Sequence, residues 1–193
     1  MPEVYIGTKF ETVFSNSDIP KYGECGRIRF WGKKFAEMGM SPLGPEGNLS
    51  FRTDDGFIVT ATASHISHLQ ENDFIEVIQV NIKENTIHVK GCKEPSSESF
   101  MHYAIYQQRP DINVIFHTHD YVVMDNQFEL KIPETAKEQK YGTMDLVNEV
   151  LKVSKEHEYF IIKNHGIIAL GRSINEAGEK IASAHSSASA IEN

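Results

Sequence analysis

The sequence predicts an α+β fold in which a few helices cover a largely antiparallel sheet. Three observations point there. Short apolar segments come in neighbouring pairs joined by turn residues, and other segments carry apolar residues at intervals of three and four. The regular strand–helix–strand alternation that a doubly wound parallel sheet requires is missing.

Taken in order, Cys25–Met38 places Ile28, Trp31, Phe35 and Met38 at helical spacing and stops at Gly39. Asn48–Arg52 and Phe57–Thr60 read as strands joined by Thr53-Asp54-Asp55-Gly56, where Asp-Gly is a strong hairpin signal. Phe74–Asn81 and Thr86–Lys90 form a second pair turned at Glu84-Asn85. Between Pro95 and Pro110, a helical face carries Phe100, Met101, Ala104, Ile105 and Gln108, with Ser96 or Ser97 as the expected N-cap. Asn113–Phe116 reads as a buried strand running into His117-Thr118-His119. Leu146–Ser154 follows as a helix. Tyr159–Lys163 and Ile167–Leu170 are apolar strands around the polar turn Asn164-His165-Gly166. A last helix, Ser173–Ala190, shows Ile174, Ala177, Ile181, Ala184 and Ala188 on one side. No repeat or linker interrupts the chain, so residues 1–193 are expected to form a single domain.

Composition narrows the function. The chain has 193 residues, 19 Lys and Arg against 27 Asp and Glu, and a formal charge of −8 with its nine histidines neutral. That balance argues against nucleic acid as a partner. Two cysteines, Cys25 and Cys92, do not make a disulfide framework. No apolar run approaches the roughly 20 residues of a membrane span, and the first residues lack the pattern of a signal peptide. The expectation is a cytoplasmic protein without a membrane partner, in which any anion site is built locally.

Three segments could carry chemistry. His117 and His119 lie two apart at a strand end, so both imidazoles point the same way and can reach one metal ion. His165 occupies a tight turn between buried strands, and three neutral imidazoles make a typical first-row divalent site, most often zinc. Spacing alone leaves open the alternative of a chance His-x-His and a hydrogen-bonded turn histidine. Pro95-Ser96-Ser97-Glu98 opens a helix, where exposed N–H groups and hydroxyls make an anion site and Glu98 faces the same pocket. Simple helix capping would explain the same residues. Gly44-Pro45-Glu46-Gly47-Asn48-Leu49-Ser50 could cradle an anion with the Asn48 amide as donor, or be a plain turn before the hairpin.

Their order is more specific than any one of them. Gly-Asn-Leu-Ser, then Pro-Ser-Ser-Glu with His102 and Tyr106-Gln107-Gln108-Arg109-Pro110-Asp111, then His-Thr-His and Asn-His-Gly, resemble the class II aldolase/adducin family from about Arg27 to the last helix. The resemblance implies a three-layer α/β/α sandwich around a mostly antiparallel sheet, and a homotetramer with sites between subunits. It implies that His117, His119 and His165 bind zinc, and that Glu98 is the acid/base and ligates the metal when substrate is absent. Asn48, Ser96 and Ser97 fall on phosphate-binding positions, and Tyr141 falls where aldolases carry an aromatic wall residue. The implied activity is a zinc-dependent lyase that cleaves a C–C bond in a small keto-sugar or sugar phosphate through an enediolate. Two alternatives stay open: a dehydratase of the methylthioribulose-1-phosphate type, and a non-catalytic oligomeric module like the adducin head.

The chain departs from the family pattern in places. Pro45 stands where sugar-phosphate aldolases have threonine, removing a hydroxyl and an N–H. Thr60-Ala61-Thr62-Ala63 keeps the Thr62 hydroxyl for phosphate but replaces the glycine that follows it with Ala63. The connection from His119 to Gly142 is short and charged and offers no counterpart of the tyrosine that protonates the aldehyde oxygen; Tyr121 is an alternative donor. His102, one turn beyond Glu98, matches a family histidine and is expected to support the site. His65 and His68 read as residues of a polar loop, His88, His157 and His185 as solvated or helix-surface residues, and Glu134–Lys140 as a solvated charged turn.

Overall fold

In the computed structural model, residues 7–41, 44 and 46–191 are described. Eight strands form one sheet: β1 (Glu11–Asn16), β2 (Asn48–Arg52), β3 (Phe57–Thr60), β4 (Phe74–Asn81), β5 (Thr86–Lys90), β6 (Val114–Thr118), β7 (Tyr159–Ile162) and β8 (Gly166–Gly171). Their order across the sheet is β1-β5-β4-β3-β2-β6-β8-β7. Every neighbouring pair is antiparallel except β1–β5. The helices are α1 (Glu24–Glu37), α2 (Ser99–Gln108), the short α3 (Tyr121–Asp125) and α4 (Gln127–Leu130), α5 (Met144–Ser154) and α6 (Ile174–Ile191).

Alternation along the strands divides the core in two. On one face Phe57, Val59, Val77, Ile115 and Ile168 pack under α2 and α5 with Phe100, Met101, Ile105, Leu146 and Val150. On the other, Leu49, Phe51, Ile58, Phe116 and Ile167 pack against α1 and α6 through Ile28, Trp31, Phe35, Ala177 and Ile181. The result is helices, sheet and helices, as the resemblance implied. Each buried Phe, Ile or Leu removed from water stabilises by roughly 1.5–3 kcal/mol, so both layers are needed to offset the entropy of ordering the chain.

The short α3 and α4 have no counterpart in the sequence expectations; the other strand and helix positions follow them closely, with three further differences. β1 was not expected. It lies at the sheet edge, mostly exposed, and its Thr-Val-Phe-Ser lacks the apolar alternation of a strand with one buried face. α2 starts at Ser99 with Glu98 in the cap position and no side-chain cap, rather than with Ser96 or Ser97. The chain before it is tied to the end of β3, by the Ala61–Pro95 bridge and by Ser96 N–H to the Thr60 carbonyl at 3.1 Å. Ser96 Oγ instead accepts the Glu98 N–H at 3.3 Å, one step outside the helix. Third, the expected solvated turn Glu134–Lys140 is largely exposed only from Ala136 onward, and residues 133–135 pair with the sheet edge. The Ile161 N–H donates to the Pro133 carbonyl, the Thr135 N–H donates to the Ile161 carbonyl, and the buried Thr135 hydroxyl accepts from the Lys163 N–H at 3.0 Å. Pro133 can only accept, so surrounding charge hides this sheet-edge pairing.

α6 reaches α1 through a gap at Gly178. A Cβ there would lie 2.2 Å from the Trp31 indole. The ring has little room to retreat, since its N–H donates to Asn175 Oδ1 at 3.2 Å and Phe35 packs on it with centroids 5.6 Å apart. Replacing a helical glycine by alanine ordinarily stabilises by about 1 kcal/mol. Here overpacking reverses the sign, and Gly178→Ala is expected to lower the unfolding free energy by about 1–2 kcal/mol, read from the urea midpoint.

Candidate metal centre

Three elements deliver the three imidazoles. His117 is the fourth residue of β6, buried, with Asn48 of β2 opposite it on one side and Ile168 of β8 on the other. His119 follows where the strand ends, fixed by its carbonyl, which accepts the Ser41 N–H at 2.8 Å, and by its own N–H, which donates to Ser41 Oγ at 3.3 Å. His165 sits in the β7–β8 turn behind Asn164, whose φ of +55° is the left-handed conformation that asparagine tolerates. Ring centroids are 5.1 Å apart for His117–His119, 5.0 Å for His117–His165 and 5.2 Å for His119–His165. One nitrogen from each lies within 4.8 Å of the others.

Close approach of these rings depends on two glycines. A Cβ at Gly166 would lie 2.7 Å from His117 Cε1, 2.8 Å from the Thr118 carbonyl oxygen and 3.0 Å from His119 Cδ2. Gly47, at φ +80°, would meet the His117 carbonyl oxygen at 2.4 Å.

The hydrogen bonds settle which nitrogen is available. His117 Nδ1 lies 2.9 Å from the Ile167 carbonyl oxygen, which can only accept. Nδ1 therefore carries a proton, which leaves Nε2 as the nitrogen that offers a lone pair when the ring is neutral. That lone pair has no hydrogen-bond partner and lies 3.2 Å from Glu98 Oε2. Glu98 Oε1 likewise has no hydrogen-bond partner and lies 3.4 Å from His165 Nε2. Lone pairs and a carboxylate packed together in a buried cleft repel unless a cation joins them. Three imidazoles with a carboxylate beside them are a donor set for a divalent first-row ion, so the residues fit a metal.

Electrostatics agree with that assignment. Burial alone would raise the Glu98 carboxyl, but the His117 and His165 imidazoles, the Asn48 amide and His102 outweigh it and hold it at about 2. Burial, reinforced by the two neighbouring imidazoles, pushes His119 down to about 2. A carboxylate that stays ionised beside these imidazoles is in the form metal ligation requires.

Residues 28–136 match the domain described as Class II Aldolase and Adducin N-terminal domain. The L-fuculose phosphate aldolase of Methanocaldococcus jannaschii is 32% identical over 153 residues, covering 72% of this chain and 80% of that protein. The chain belongs to the class II aldolase and adducin family. A 5-methylthioribulose-1-phosphate/5-deoxyribulose-1-phosphate aldolase of Rhodospirillum rubrum is 26% identical over 152 residues, with 69% of this chain and 65% of that protein covered. Among solved structures, the sugar-phosphate aldolase of Thermotoga maritima shares the fold, with a TM-score of 0.74 at 17% identity over 88% of this chain and 95% of that one.

Within this family member, the structure brings most of the expected site residues together. Asn48 Nδ2 donates to Glu98 Oε2 at 2.8 Å, so its amide serves the carboxylate. Ser96 and Ser97 are buried just ahead of Glu98, and the Thr62 N–H donates to the Glu94 carbonyl at 3.0 Å, which brings Thr62 alongside them. Ala63, where the family has glycine, keeps a glycine-like φ of +54°. Tyr141 stands apart from the imidazoles. Its ring lies under Lys9 Nζ at 4.0 Å and its hydroxyl donates to the Gly7 carbonyl at 3.5 Å, while Gly142 brings the segment against the Ser97 carbonyl. Pro45 lies outside the described residues.

Glu46 was not anticipated. Its carboxylate accepts the Tyr121 hydroxyl at 3.0 Å and lies 3.7 Å from His119 Nδ1. Nothing in a Gly-x-Glu-Gly turn signals this, because the partner is 75 residues away. His185, read as a solvated or helix-surface residue, packs its Nδ1 2.9 Å from Asp120 Oδ2. Asp120 also caps α3 by accepting the Val123 N–H at 3.2 Å, so α6 holds the turn that carries His119. The signal available was the Asp directly after His-Thr-His, a natural N-cap.

Gly166→Ala is expected to leave far-ultraviolet circular dichroism unchanged and to weaken zinc binding by about 10–100-fold, the usual effect of disturbing a ligand's support. Competition with a chromogenic chelator measures it.

Proposed function

We propose that the protein is a zinc-dependent aldolase-type lyase that cleaves or forms a C–C bond in a small keto-sugar or sugar phosphate. The observation that carries this reading is Glu98, a buried, ionised carboxylate with one unpartnered oxygen, set against two of three clustered imidazoles. His117, His119 and His165 would hold the ion, with Glu98 beside it when substrate is absent. Zinc, or another first-row divalent ion, supplies a Lewis acid that polarises the hydroxyl and carbonyl oxygens of a chelating substrate.

The chain's own residues do the rest. On cleavage, the hydroxyl of the departing carbon gives up its proton as it becomes the aldehyde, the bonding pair stays on the carbon next to the carbonyl, and the ionised Glu98 takes up that proton and delivers it to that carbon; condensation reverses both transfers. Asn48 commits its amide to Glu98, so phosphate recognition falls mainly on Thr62, Ser96 and Ser97 and on the N–H groups around them. Tyr121, beside His119 and tethered to Glu46, is the hydroxyl available near the aldehyde oxygen. Tyr141 would wall the phosphate end or a neighbouring subunit's pocket. A homotetramer with sites between subunits is consistent with Phe128 of α4, which is 81% exposed a short way beyond the site. No helix among the described residues is long and apolar enough to cross a membrane. The acidic composition supports a reading without a nucleic-acid partner, and the cytoplasmic location and the lack of a membrane partner stay part of the proposal.

A dehydratase acting on methylthioribulose-1-phosphate would use the same glutamate. The Rhodospirillum relative names that sugar phosphate and an aldolase activity, which favours C–C cleavage even for a substrate of this kind. An adducin-like scaffold role has no use for a carboxylate poised beside the three imidazoles.

Metal-loaded protein offered ketose phosphates and free ketoses should release an aldehyde from at least one, and chelation should abolish release. Glu98→Gln should lower the rate by about 10²–10⁴-fold, the range for removing an acid/base group. Diketone formation would make the enzyme a dehydratase. Wild-type turnover by the zinc-free protein would sink the metal assignment.

A further inference from the structure

β2 and α2 meet along two rows of polar side chains inside an otherwise apolar layer. Asn48, Ser50 and Arg52 alternate onto one face of β2, and Glu98, His102 and Tyr106 recur every fourth residue from the α2 cap onward. Ser50 and His102 are fully buried, and Asn48, Glu98 and Tyr106 nearly so. The rows interlock. Asn48 Nδ2 lies 2.8 Å from Glu98 Oε2, Asn48 Oδ1 contacts His102 Nε2, His102 Nδ1 is 2.7 Å from Ser50 Oγ, and Ser50 Oγ is 2.8 Å from the Tyr106 hydroxyl. At the far end Arg52 lies over the Tyr106 ring at 4.6 Å and donates to the carbonyls of Tyr106, Arg109 and Ile112.

Direction along this chain is not free. An ionised Glu98 only accepts, so the Asn48 amide must turn its NH₂ toward it. The Asn48 oxygen then faces His102, whose Nε2 must carry the proton. Burial pushes His102 down to about 3, so the ring is neutral and Nδ1 accepts from the Ser50 hydroxyl. Ser50 has then used its one proton and accepts from Tyr106, whose hydroxyl lies nearer to Ser50 Oγ, at 2.8 Å, than to its other acceptor, the Asn113 carbonyl at 3.5 Å. Every donor points toward Glu98.

We propose that His102, supported by Ser50 and Tyr106, is a positioning residue that locks the Asn48 amide, anchoring Glu98 Oε2 and leaving Oε1 as the oxygen that exchanges protons with substrate. This rests on the acid/base reading of Glu98. Reversing the Glu98–Asn48 link would set the amide oxygen against the carboxylate inside this buried row, so the chain holds the carboxylate in one orientation.

Nitrogen-15 NMR of histidine-labelled, zinc-loaded protein tests the direction without any substrate. His102, identified by the resonance missing from His102→Gln, should be protonated on Nε2 and bare on Nδ1 at neutral pH. A proton on Nδ1, or on both nitrogens, overturns the proposal. In turnover, His102→Leu should lower kcat by about 10–100-fold with zinc content and KM little changed, the range for a supporting residue. His102→Gln, which keeps an N–H donor for Asn48, should recover most of that loss. Equal impairment of both variants, or wild-type kcat in His102→Leu, also overturns it. If no substrate is ever turned over, the aldolase reading fails while the NMR result still decides the direction of the chain.

Discussion

One hydrogen bond, from His117 Nδ1 to the Ile167 carbonyl, determines the chemistry available at the centre of this protein. It selects the tautomer, and the tautomer makes Nε2 a ligand atom rather than a donor. Had the proton been on the other nitrogen, His117 would simply have donated a hydrogen bond to Glu98, and Nε2 would have no lone pair to offer. The bond exists because β6 and β8 are adjacent and antiparallel, which brings the Ile167 carbonyl beside His117. Sheet register thus sets protonation state, and protonation state sets what the cleft can bind.

The same logic extends outward on both sides of the sheet. Asn48 is opposite His117 on β2 and turns its amide to the carboxylate that faces the imidazole nitrogens. Asp120, one residue beyond His119, is gripped by His185 of α6, so the helix layer on the opposite face also steadies the site. A net charge of −8 says little about such a place. A bound divalent ion would make the local field positive even though the chain as a whole carries a net negative charge.

Much of this was legible in the sequence because the responsible patterns are short. Strand alternation put His117 and His119 on the same side, and the Asp-Gly and Glu-Asn turns located both hairpins of the sheet's left half. Pro-Ser-Ser-Glu marked the start of α2, though the side chain expected to cap the helix is engaged elsewhere. What stayed hidden depends on residues far apart in the chain. Glu46 and Tyr121 meet only because the loop before β2 and the turn after β6 end on the same rim. Thr135 is buried by backbone pairing that surrounding charges disguise. β1 has neither a buried face nor a turn to its partner, and only the completed edge of β5 explains it.

The interlocked rows of β2 and α2 also limit how the family's sequences can vary in length. A row with a period of two and a row with a period of four stay aligned only while no residue is gained or lost within either element. One insertion between Asn48 and Arg52 would turn the later polar side chains into the α1–α6 layer and bring apolar ones against His102. The same insertion in the turn at Asp54-Asp55 would disturb no such alignment. Drift by point substitution is open to this pair of elements and drift by insertion or deletion is closed, so gaps among functional relatives should avoid residues 48–52 and 98–106.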